Sequence, residues 1–155
     1  MKLTKSTFAI LLIIFTFNAP LSSSGAQLRE EKYRIIDAVL RRQMENYSSA
    51  KGYQVYYIGV EIDGRDVSKE CLKRLARSNA SVREFEPDKY DPERIKREGG
   101  IVLGIRGIER INKSKVKVYG LAFASGFAGG LNWIHELERR GRDWVITEEA
   151  SFNLS

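Results

Sequence analysis

Between residues 28 and 47 the apolar side chains Leu28, Ile35, Ile36, Val39, Leu40, Met44 and Tyr47 recur at steps of three and four, the stripe of an amphipathic helix. Turn residues at 48–52 end it. The pattern then changes character: residues 53–62 (YQVYYIGVEI) are dense in aromatic and β-branched side chains and predict a strand, stopped by Asp63-Gly64. A shorter helix is expected over residues 67–78, where Val67, Cys71, Leu72 and Leu75 share a face and Asp66 or Ser68 caps the first N–H groups. Residues 79–90 carry little periodicity and leave room for a short edge strand at 82–85. Asp91-Pro92-Glu93 opens a third helix of one or two turns, because Asp accepts N–H bonds and Pro suits the first helical position; Gly99-Gly100 closes it.

Residues 101–111, 115–125, 131–138 and 144–149 are four strand-like runs separated by short polar or Gly-rich connections, the spacing of antiparallel neighbours. Glycines inside the runs (Gly59, Gly104, Gly107, Gly120) suit bulges or strong bends. The fold expected is α+β: an antiparallel curved sheet of about five strands packed on the N-terminal amphipathic helix, with one or two shorter helices.

The first 26 residues change the picture of where the chain goes. Lys2 and Lys5 precede a ten-residue apolar run (FAILLIIFTF), Pro20 breaks it, and Ser24-Gly25-Ala26 places small residues before Gln27. That order is the layout of a secretory signal peptide, and the run is shorter than the roughly 17 to 25 residues of a membrane span. The expected organisation is a signal peptide at 1–26 and one α+β domain at 27–155. The destination is the periplasm or the exterior, with an N-terminal membrane anchor as the alternative. The 129 residues of that domain suffice for a core without disulfides, which matters because Cys71 is the only cysteine. Its place on the apolar helix face predicts burial.

The chain carries a formal charge of +6, and without Lys2 and Lys5 the remainder is +4. Basic residues cluster at Arg41-Arg42, Lys73-Arg74-Arg77, Lys113/Lys115/Lys117 and Arg139-Arg140-Arg142, each at a turn or on a helix's polar side. With export and no recognition motif, nucleic acid is not an expected partner. Weak attraction to anionic envelope surfaces is.

His135 is the only histidine. Alternation along residues 131–138 puts Leu131, Trp133, His135 and Leu137 on one face of a strand, so the imidazole shares the apolar side with an indole. There it serves either as a packed side chain held by a neighbour or as an acid/base or ligand-holding group. Trp133, His135 and Tyr57 are the candidate ligand-binding residues, and His135 is the one weak catalytic candidate. Phe127, between glycines in SGFAGG, is a candidate contact residue. No metal or other cofactor is expected: Asp63 and Asp66 lack the continuation of a Ca²⁺ loop, and one His with one Cys cannot build a zinc site. No G-x-S-x-G is present.

The strand bearing Trp133, the turn RGRDWVI at 140–146 and Ser151 resemble the last hairpin of small secreted bacterial proteins of unknown function. Over residues 100–155 they also resemble, distantly, the nuclear-transport-factor-like and SnoaL-like cone folds. The resemblance implies a helix-capped sheet with a pocket on its concave side near Trp133 and His135. The expected function is an exported, non-catalytic binding or protein-interaction domain for an unidentified protein or small molecule. Two alternatives stand beside it: a cone-fold enzyme or small-ligand binder using the pocket near His135, and an envelope immunity or inhibitor protein.

Overall fold

The computed structural model describes residues 23–75, 81–124 and 130–153. Helix α1 (Ser23–Lys51) carries the apolar stripe, and Ile35, Ile36, Val39, Leu40, Met44 and Tyr47 are all buried. Residues 25–29 of the helix stand clear of the core, with Leu28 58% exposed. The cleavage position expected before Gln27 lies there, upstream of Ile35, where the described buried residues of the helix begin.

Strand β1 (Val55–Ile62) turns at Asp63-Gly64, both at positive φ, into β2 (Arg65–Asp66), and Ile62 pairs with Arg65 across the turn. Both central residues of this two-residue hairpin need φ > 0, which is why the sequence reads Asp-Gly. Helix α2 (Ser68–Leu75) follows, its first N–H capped by Asp66, and β3 (Ser81–Glu84) realises the expected edge strand. After a short 3-10 turn, α3 (Pro92–Arg97) starts on Asp91, whose side chain accepts the Arg94 N–H. The meander comprises β4 (Gly100–Arg110), β5 (Lys115–Phe123), β6 (Leu131–Arg140) and β7 (Asp143–Asn153).

The class is α+β, with three α-helices and one curved, unclosed sheet among the described residues. That sheet has seven strands and is mixed, where about five antiparallel strands were expected. Its order is β2-β1-β4-β5-β6-β7, with β3 beside the first half of β1. β1 runs parallel to both β3 and β4. The reason is connectivity: α2 carries the chain back to one flank of β1, and the stretch holding α3 carries it to the other, and only such crossovers produce parallel neighbours.

Two layers cover the sheet. Tyr56, Ile58, Val60, Leu103, Ile105, Val118 and Leu137 meet α1 and α2 in the main core. On the opposite face Val55, Tyr57 and Val102 pack with Ile95 of α3 and with Phe85 and Phe123. Register shifts at Ile105/Gly107 and Glu136/Leu137 bend the sheet around α1. Among the described residues no helix is long and apolar enough to cross a membrane.

Candidate functional site

Strand β6 alternates as its sequence predicts, turning Trp133, His135 and Leu137 inward toward α1. Gly120 of β5 lies opposite Trp133 in the ladder. A Cβ at Gly120 would stand 2.1 Å from the indole and 2.4 Å from the Gly104 carbonyl oxygen, so the missing side chain is the space the indole occupies. The Trp133 and His135 rings pack with centroids 4.8 Å apart, tilted by 53°.

Helix α1 supplies the partner. Gln43 belongs to the buried stripe with Leu40, Met44 and Tyr47, and its amide nitrogen lies against Nε2 of His135. An imidazole buried to 1% exposure is pushed below its ordinary pKa by desolvation; the Glu149 carboxylate opposes that shift and the Arg42 guanidinium adds to it. The ring is therefore neutral at physiological pH.

These side chains line a cleft of about 340 Å³ between α1 and the β6–β7 hairpin. Tyr47, Leu131 and Ala150 give it apolar walls, and Glu149 stands on its rim. The Glu149 carboxylate accepts from Arg42 at 2.6 Å and from Asn46 at 3.3 Å. Two buried polar atoms of the lining residues, Nε1 of Trp133 and Nδ1 of His135, have no hydrogen-bond partner among the described residues.

Trp133 and His135 thus come together as expected. Tyr57 does not join them: along β1 the even-numbered positions face α1, and Tyr57 points to the opposite side of the sheet. There its hydroxyl donates to Glu98 and accepts from Arg83 at 3.2 Å, while Arg83 also pairs with Glu98 at 2.6 Å. Phe127 lies outside the described residues. Gln43 was not anticipated, and its signal was a polar residue set in a buried helical stripe.

Other candidates resolve into structural roles. Asp66 holds the Ser68 N–H at 2.8 Å, and Asp63 pairs with Lys32 at 2.5 Å. Cys71 is buried, and desolvation pushes its thiol up to about 12, which keeps it protonated and unreactive. Lys115 and Lys117 flank Glu136 at 2.7 and 3.2 Å, and Arg139 approaches Glu31 at 3.5 Å, so several basic clusters have acidic partners on the surface. No three His, Cys, Asp or Glu side chains among the described residues are grouped to hold a metal ion. No family model, no curated protein and no solved structure matches this chain.

Proposed function

We propose that the chain is a non-catalytic binding domain that receives a small ligand in the cleft between α1 and the β6–β7 hairpin. The observation that carries this reading is the pair of buried, unpartnered nitrogens on Trp133 and His135, two residues that line the same cleft. Leaving such a group unpaired costs on the order of 1–3 kcal/mol. Two of them on neighbouring residues of one cleft favour a molecule that enters and completes them.

A catalytic role fits less well. A general base works best with a pKa near the operating pH and an orienting carboxylate behind it. His135 is instead pushed toward the neutral form by burial and oriented by an amide, and Glu149 is engaged by Arg42 and Asn46. The distant likeness to cone folds, with a pocket near Trp133 and His135, agrees with this reading. So does export: the described core residues of α1 begin at Ile35 and its cleft residues at Gln43, so cleavage before Gln27 removes none of them.

Native mass spectrometry of protein recovered from its own cells tests the proposal. The expected spectrum shows a small-molecule adduct that disappears in His135→Gln. A bare monomer, or a complex with a second protein and no small molecule, would overturn it.

A further inference from the structure

We infer that the cleft is selective for an uncharged hydrogen-bond acceptor, an amide-type carbonyl oxygen, held jointly by the indole N–H of Trp133 and the Nδ1–H of His135, with the apolar part of the ligand against Tyr47 and Leu131. This rests on the cleft being a ligand site, as proposed above, and adds which chemistry it takes.

The donor count follows from Gln43. Its amide nitrogen can only donate, and it lies against Nε2, so Nε2 accepts and the proton of the neutral ring sits on Nδ1. An indole nitrogen is likewise only a donor. Both unpartnered atoms therefore call for an acceptor, and neither can satisfy the other.

Charge decides which acceptor. A carboxylate or phosphate would enter a space whose described lining includes no Lys or Arg, with the Glu149 carboxylate on its rim. Arg42, beside that rim, is already bound to Glu149 at 2.6 Å. An anion there loses its hydration without gaining a counter-charge, whereas a carbonyl oxygen sheds far less solvation and fills the same two bonds. At about 340 Å³ the cleft is near the lower end of small-molecule sites, which suits a compact ligand with one polar end.

The test uses an isosteric pair, 2-phenylacetamide and phenylacetate, titrated into the wild-type protein and followed by ¹⁵N NMR. The chain has one His and two Trp, so the imidazole signals are unique and a Trp144→Phe sample assigns the Trp133 indole. The free protein is expected to show the Nδ1–H tautomer. The amide is expected to move both the Trp133 Nε1–H and the His135 resonances, and to bind at least about tenfold more tightly than the carboxylate, roughly 1.4 kcal/mol. A proton on Nε2, or equal or tighter binding of phenylacetate, would overturn this inference and leave the cleft as a ligand site of another chemistry. If neither probe moves either resonance and both N–H groups show contacts to a resident water, the inference and the binding reading both fall.

Discussion

Gly120 fixes the position of Trp133, since nothing larger fits between the indole and the Gly104 carbonyl. Gly120→Ala is expected to lower stability by about 1–3 kcal/mol through overpacking and to change the near-ultraviolet signal of the displaced indole; urea unfolding and circular dichroism measure both. An unchanged midpoint would mean that the ring sits elsewhere. His135 gives a pH dependence whose sign is set by burial. The folded ring resists protonation relative to the ordinary value of 6.5, so on acidification the unfolded chain takes up its proton first and stability falls below that pH, levelling off once the folded ring also titrates. Glu30, Glu98 and Glu136 are held below 4.5, each chiefly by hydrogen bonds, to Arg74, to Tyr57 and Arg83, and to Lys115 and Lys117 respectively; their contributions are lost only at lower pH. Between about pH 7.5 and 5.5, wild type is therefore expected to lose more thermal stability than His135→Gln. Parallel losses in the two proteins would remove His135 as the cause. At this scale the sequence revealed Trp133 and His135 through two-residue alternation. Tyr57 misled because an aromatic-rich strand does not announce which of its faces meets the helix.

The helix α1 carries its weight unevenly. Leu40, fully buried among the main-core side chains, is expected to cost about 2–5 kcal/mol on truncation to Ala, read by chemical denaturation. Removal of residues 1–26 is expected to leave the midpoint within about 0.5 kcal/mol, because the described buried residues of the helix begin at Ile35. A large loss on that deletion would show the leading residues to be part of the folded unit. The helices and most strand positions were legible from periodicity and from cap residues such as Asp66 and Asp91. The parallel pairing of β1 was written there too, in a quieter form. Residues 55–60 and 100–105 are apolar or glycine without alternation, the mark of strands covered on both faces, whereas β5 alternates buried positions toward α1 with half-buried ones on the other side, where only Phe123 at its end joins the second apolar cluster. Antiparallel order was the default reading because the loops of the last third are short; a longer connection holding α3 precedes β4, and that is where parallel register arises.

Across the whole molecule, contacts divide into near and far. The hairpins from β4 to β7 join neighbours in sequence, while β1 must find β4 across a long stretch of chain, and the bond from Gln43 to His135 spans 92 positions. Closing distant segments is the slow part of folding, because chain entropy is lost before the contact rewards it. The meander is therefore expected to be organised first and the helix to dock on it late, which places the cleft among the last features to exist. An occupant of that cleft would then meet no binding site at the folding barrier. It would lengthen the lifetime of the native chain by slowing escape from it, and leave the rate of reaching it unchanged. Stopped-flow measurements with and without phenylacetamide would separate the two limbs, and an accelerated refolding limb would show that helix and meander meet before the barrier.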